Sequence, residues 1–178
     1  RAGNVIGGGD WAEDRIIADC VRSWSVGEKV KIRNPDSTRP WQHVLEPLSG
    51  YLTLGSNLYK SNQFNGESFN FGPKANQNYS VRELISQMKK HWADAQWVDC
   101  SQSKNDMPEA NLLQLNCDKA FSKINWSPVL EFDETVKLTT IWYKNYYENP
   151  KSNFYEFTLN QIKEYINIAK QRFVNWTV

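Results

Sequence analysis

In the stretch "IRNPDSTRPWQHV", Arg33 and Arg39 flank an Asn-Pro-Asp turn, and Trp41 follows closely after the second arginine. A guanidinium presents a planar fork of N–H donors that meets phosphate oxygens in pairs, and an indole covers an apolar ring face. The residue types suit a grip on a diphosphate with a wall beside it. On pattern alone, solvated arginines next to a core tryptophan describe the stretch better.

Other chemical centres fail their own tests. Gly7, Gly8 and Gly9 in "GNVIGGGDW" do not follow G-x-G-x-x-G, and no helix opens at the spacing a dinucleotide fingerprint needs. They read as a turn requiring unusual backbone angles. Tyr147 and Lys151 match Y-x-x-x-K, but Pro150 lies between them and breaks the helical turn that would bring the two side chains together. His43 and His91 stand in no nucleophile–base arrangement, and G-x-S-x-G is absent. Without a C-x-x-C, a zinc site is not expected. No catalytic residue and no metal ligand is assigned.

The elements that must position these groups are legible from periodicity. Ile16, Ile17, Cys20, Val21 and Trp24 form a helical stripe over 14–26, with Gly27 as its stop. "KVKIR" alternates as a short strand, and "WQHV" is a brief extended piece. Pro47 opens a helix over about 46–60, with Leu48, Tyr51, Leu52 and Leu58 expected inward. "SFNFG" and "AQWVD" read as strands. Ser80 and Glu83 form a capping box before Val81, Leu84, Ile85, Met88 and Trp92. Asp118 is expected to cap a helix through Ile124 above Trp126, and Asp133 to cap another carrying Val136, Thr140, Tyr143 and Tyr147 as far as Asn149-Pro150. A second capping box, Thr158 and Gln161, opens a last helix with Leu159, Ile162, Ile166, Ala169 and Phe173 on one stripe.

Composition narrows the classes. The chain has 178 residues, 40% of them hydrophobic and 13% aromatic, enough to build a core. Its net charge of +1 gives no global drive toward nucleic acid or anionic membrane, so neither is an expected partner. No apolar run approaches the roughly 18 residues that cross a bilayer. Three widely spaced cysteines suit free thiols in a reducing, cytoplasmic setting better than a disulfide framework.

Five segments come in one family's order: "RAGNVIGGGDW", "DRIIADCV", "IRNPDSTRPWQHVLEPLSGYL", "FNFGP" and "LLQLNCDKAFSKINWSP". Over residues 1–145 the chain resembles the C-terminal part of the CDP-glucose 4,6-dehydratases, which are extended short-chain dehydrogenases/reductases. The resemblance implies an α/β fold of Rossmann type. It implies that residues 1–149 are the end of the sheet plus the nucleotide-sugar-binding region, with 150–178 a helical appendage. The fingerprint and the Tyr-x-x-x-Lys pair are expected upstream of "RAGNV", so the dinucleotide-binding half would be missing and the chain alone inactive. For the complete enzyme it implies a lyase, a homo-oligomer holding NAD and acting on CDP-glucose. In that reaction the C4 hydroxyl is oxidised, water leaves across C5–C6 and the hydride returns to C6. The C4 ketone makes this possible by acidifying the C5 proton.

Residue by residue, the resemblance implies that Asn4 faces the sugar diphosphate and that Arg15 and Arg39 reach the phosphates. Arg33 and Gln42 would stand near the nucleotide, Glu109 at the ribose or base, and Ala2 against the nicotinamide. Ala18 stands where the family usually has Pro, Pro108 where it has His, and Asn116 where it has Asp. Two other readings compete: a nucleotide-sugar epimerase or dehydratase with a different base pocket, and a silent nucleotide-sugar-binding module.

Overall fold

A computed structural model of the chain describes residues 1–101 and 114–177. Short strands alternate with helices. Strand β1 (Val5–Ile6) leads through the glycine turn to helix α1 (Ile16–Ser25), then to β2 (Val30–Ile32), β3 (Thr38–Arg39) and β4 (Gln42–His43). Helix α2 (Leu45–Lys60), β5 (Tyr79–Ser80), α3 (Val81–Lys89) and β6 (Trp97–Asp99) follow. Helices α4 (Asp118–Ile124), α5 (Phe132–Glu148) and α6 (Phe154–Gln171) complete the order, before a last 3-10 turn at Asn175–Thr177.

The strands form three pairs. β1 runs parallel to β4 with Val5 opposite Gln42, and β2 runs parallel to β6 with Val30 opposite Trp97. β3 and β5 are antiparallel. "SFNFG" contributes one parallel bridge, Ala2 to Phe71, rather than a ladder. One core cluster joins Ile17, Val21 and Trp24 of α1, Val30 and Ile32 of β2, Leu84 and Met88 of α3, and Val136 and Tyr143 of α5. The Ser80–Glu83 capping box forms as expected, and Trp126 is fully buried beneath α4.

The glycine turn needs more than unusual angles. Gly9 has φ +87°, which an L side chain rarely adopts. At Gly8 a Cβ would stand 2.0 Å from Trp142 Cδ2, and at Gly7 one would stand 2.7 Å from Val44 Cγ1. Two of the three glycines are therefore there to let α5 and the start of α2 come close.

Four local expectations are corrected. On α2, Leu48, Leu52 and Leu58 are exposed, Tyr51 is half-exposed with its ring edge on Phe71, and Glu46, Pro47 and Gly50 are the buried residues. The helix seats its narrow side, because a Cβ at Gly50 would fall 2.3 Å from the Phe71 ring. On α4 the Asn116 side chain accepts from the Asp118 amide at 2.9 Å, so Asp118 is the first helical residue and not the cap. On α5 the cap is Glu131, whose amide donates to Glu134 at 2.8 Å, two residues before Asp133. Helix α6 starts at Phe154, where the Asn153 side chain accepts from the Glu156 amide. Its buried stripe is Gln161, Tyr165 and Ala169, while Phe173 lies exposed beyond its end. Here a buried polar pair wins over the apolar count: the Gln161 amide donates to Leu138 O and the Tyr165 hydroxyl to Glu46.

The boundary expected at 149/150 falls in the turn between α5 and α6. Helix α6 shares a core with Val129, Leu130 and Leu138, and Arg172 just beyond it holds Glu134 through two 2.8 Å contacts. All three cysteines are free, and Cys20 is buried. Among the described residues, no helix is long and apolar enough to cross a membrane.

Candidate functional site

A cleft of about 290 Å³ is lined by β1, the glycine turn, the start of α1, β2 with the turn after it, and Arg39 and Trp41. Four residues singled out in the sequence, Asn4, Arg15, Arg33 and Arg39, line this one cleft although they span 36 positions of chain. Each reaches it by a different route. Asn4 precedes β1 in the left-handed region, at φ +49°. Such a residue, neither glycine nor forced by a tight hairpin, often marks a functional constraint. Its Oδ1 is buried and accepts no hydrogen bond within the described chain.

Arg15 is the N-cap of α1 and lines the cleft, and its side chain makes no cap hydrogen bond to the first amides of that helix. A helix N-terminus carries partial positive charge and unpaired N–H groups, both favourable to an anion. Arg33 follows β2, is exposed, and stands 3.6 Å from Asp14. Arg39 lies on β3 and is only 8% exposed, with its Nη1 donating to Thr38 O at 2.8 Å. The turn "NPDSTRP" thus holds its guanidinium on a paired strand.

Trp41 is at once core and wall: it is buried, lines the cleft, and donates its Nε1–H to Tyr79 O at 2.9 Å. Lys31 adds a further positive charge, against Asp10, Asp14 and Asp19. Burial pushes the Asp19 carboxyl above its ordinary value, with Arg22 opposing that effect. The mixture can hold a dianion while its carboxylates accept from hydroxyls.

The remaining sequence candidates lie elsewhere. Gln42 is buried behind the cleft, and its amide donates to Gly3 O at 2.9 Å and Phe71 O at 2.8 Å. Ala2 is half-buried and bridges to Phe71. Glu109 lies outside the described residues. Tyr143 is legible in the sequence only as a stripe residue of α5, yet it lines the cleft. Its hydroxyl donates to Asp10 O at 2.7 Å and accepts from Asp10 N at 3.0 Å, which ties the glycine turn to α5. Burial pushes that phenol up to about 12, so it stays protonated near neutrality. No local signal reveals a contact between residues 133 apart. Among the described residues, no group of three or more His, Cys, Asp or Glu could hold a metal ion.

No protein-family model matches the chain. It is 44% identical over 145 residues to CDP-glucose 4,6-dehydratase of Salmonella typhimurium, a match covering 81% of this chain and 40% of that protein. Among solved structures, the UDP-glucuronic acid 4-epimerase of Bacillus cereus, in complex with UDP-glucuronic acid and NAD, superposes with a TM-score of 0.68. It shares 18% identity, and the match covers 82% of this chain and 44% of that one. The dTDP-glucose 4,6-dehydratase of Bacillus anthracis, in complex with NAD, gives a TM-score of 0.64 at 19% identity, covering 82% and 43%. These likenesses show the fold. The chain has the fold of part of an extended short-chain dehydrogenase/reductase, as these nucleotide-sugar dehydratases and epimerases do. Within that class, the sequence match is to CDP-glucose 4,6-dehydratase, of whose length the chain spans about two-fifths.

Proposed function

We propose that this chain is the nucleotide-sugar-gripping part of an NAD-dependent CDP-glucose 4,6-dehydratase, a lyase. The observation that carries the reading is the convergence of Asn4, Arg15, Arg33 and Arg39 on one cleft. Arg39, fixed on its strand, would offer its guanidinium edge to the diphosphate. Arg15 and the first amides of α1 would meet a second face of the same group, and Trp41 would form a wall. Arg33 would leave Asp14 to reach a phosphate or the nucleotide. Gln42 would act indirectly, by fixing the backbone of Gly3 beside Asn4. Holding the sugar at defined geometry raises the rate of chemistry performed by groups elsewhere.

The residues present do not themselves fit NAD. The space beside Gly7 and Gly8 is filled by Val44 and Trp142 and cradles no phosphate, and Tyr147 and Lys151 are separated by the end of α5 at Asn149. Binding of that cofactor is assigned to the portion of the relatives that this chain does not span, with Ala2 at the boundary against the nicotinamide. The complete enzyme is proposed to be a cytoplasmic homo-oligomer.

The test joins the preceding portion of the Salmonella relative to this chain and titrates CDP-glucose, UDP-glucose and dTDP-glucose by calorimetry, with product assayed at the 4-keto group. Preferential CDP-glucose binding with turnover in the joined protein, and none in this chain alone, is the expected result. Equal affinity for all three sugars, or turnover by this chain alone, overturns the reading.

A further inference from the structure

We infer that the outward face of α2, centred on Gly55, is the seat of a helix from the dinucleotide-binding half that the relatives carry and this chain does not span. The inference rests on the functional reading above. Helix α2 buries Glu46, Pro47 and Gly50. On its other side Leu48, Leu52 and Tyr59 recur at helical spacing and are exposed, Leu52 at 76% and Tyr59 at 94%, while Tyr51 borders them with its ring edge on Phe71. Single exposed apolar residues are ordinary, but a contiguous stripe marks a contact surface.

Gly55 falls within that stripe, seven residues after Leu48. A glycine inside a helix costs about 0.5–1 kcal/mol relative to alanine, so it needs a reason. Gly50 has one, since its Cβ would strike Phe71. Among the described residues, a Cβ at Gly55 would meet nothing within 4 Å. No described residue of the chain calls for glycine there. In the middle of an apolar stripe, a missing side chain lets a second helix approach closely, because the distance between packed helices is set by the side chains at the contact.

The neighbouring strand says which occupant fits. α2 leaves directly from β4, and β4 is the ladder partner of β1 among the described residues, with Val5 exposed at 37%. A further parallel strand on β1 would bring its crossover helix onto a face of the sheet, beside the helix already there. The chain spans 40% of the Salmonella relative and 43% of the Bacillus anthracis structure, which leaves more than half of each to supply such strands and helices. A second copy of this chain would cover the stripe but leave the β1 edge open.

Thiol labelling tests the assignment. Leu52→Cys, in a background with Cys100 and Cys117 replaced by Ser, is labelled with a maleimide in this chain and in the protein joined to the preceding portion of the Salmonella relative. Tyr155→Cys, on exposed α6 surface, is the control. The expected result is a tenfold or greater slowing at Leu52→Cys in the joined protein and no change at Tyr155→Cys. Gly55→Leu should unfold at the same or higher temperature in this chain. Mixed with the separately expressed preceding portion, it should bind that portion at least tenfold more weakly than the unaltered chain does. Equal labelling in both proteins overturns the inference, as does equal association of Gly55→Leu or no association at all. Protection of Leu52→Cys in this chain alone, with sedimentation as a dimer, assigns the face to a second copy and also overturns it. Protection in the joined protein without CDP-glucose binding would leave this inference standing and sink the functional reading instead.

Discussion

The hydroxyl of Tyr165 lies 3.0 Å from Oε2 of Glu46, joining the last long helix to the first turn of α2 across 119 residues. Oε1 of the same carboxylate accepts from the Leu130 amide at 2.6 Å and the Val129 amide at 3.0 Å. Burial pushes the Glu46 pKa up to about 7, against these hydrogen bonds and the Arg172 charge, which lower it. A protonated Glu46 is also well served. Its proton would go to Tyr165, whose own hydroxyl turns to Ser49 Oγ, 3.1 Å away.

The folded-state pKa of Glu46 is above the ordinary 4.5, so its stabilisation is fully present below about 4.5 and is lost as pH rises through about 7. The displacement corresponds to about 3 kcal/mol. Glu46→Gln places an amide donor toward Tyr165 and an acceptor toward Leu130, as the protonated acid does. It should match the parent at pH 5 and exceed it in urea midpoint at pH 8. A variant weaker than the parent at both pH values would show that the ionised form is the one the fold requires.

His43 titrates with the opposite sign. Burial lowers its pKa from 6.5 to about 4, so its stabilisation is present above about 6.5 and lost as pH falls through about 4. Over the same window the two groups oppose each other, so the parent should change less in stability between pH 4.5 and 6.5 than a variant lacking either one. Glu46→Gln should unmask the His43 slope, with stability rising by up to about 3 kcal/mol across the window. His43→Asn, whose side-chain oxygen can take the place of the Nδ1 that accepts from Leu45 N at 3.3 Å, should unmask a falling slope. Denaturant melts at four pH values decide it, and parallel slopes in both variants would refute the pairing.

Arg39→Ala in the joined protein should weaken CDP-glucose binding by roughly ten- to a hundredfold, as expected for a charge-assisted contact worth about 1.5–3 kcal/mol. Arg39→Lys should recover part of it, because an ammonium lacks the planar fork. NAD affinity should stay within about twofold. Calorimetry with CDP, CDP-glucose and NAD is the measurement, and equal damage to NAD binding would remove this cleft from the substrate phosphates.

Gly8→Ala should cost about 1–3 kcal/mol, because its Cβ meets the Trp142 ring, which is stacked on Tyr146 and tilted against Phe154, so that any shift of the indole disturbs both contacts. Gly55→Ala should instead gain up to about 1 kcal/mol in this chain. Thermal melts of the two variants should move in opposite directions. A neutral Gly8→Ala would mean that the turn does not pack against α5 in solution.

Elements governed by close neighbours along the chain are legible in the amino-acid sequence alone. The Ser80–Glu83 box, the Gly27 stop with φ +75° and the stripe of α1 depend on contacts within four residues, and each forms where its pattern places it. The candidate cleft residues are legible mainly through resemblance, since nothing in the spacing of Asn4, Arg15, Arg33 and Arg39 says that β1, α1 and β3 meet. Tertiary structure decides which faces are buried. Three leucines and a tyrosine on α2 lose the inside to Glu46 and Gly50, because a Cβ at position 50 would strike the Phe71 ring. A related cause shifts the buried stripe of α6 to Gln161 and Tyr165. A buried carboxylate must be satisfied by donors, and the donors available to Glu46 come from residues more than 80 positions away. Periodicity measures how apolar a face is, whereas burial of a polar group depends on partners that only the folded chain brings within about 3 Å.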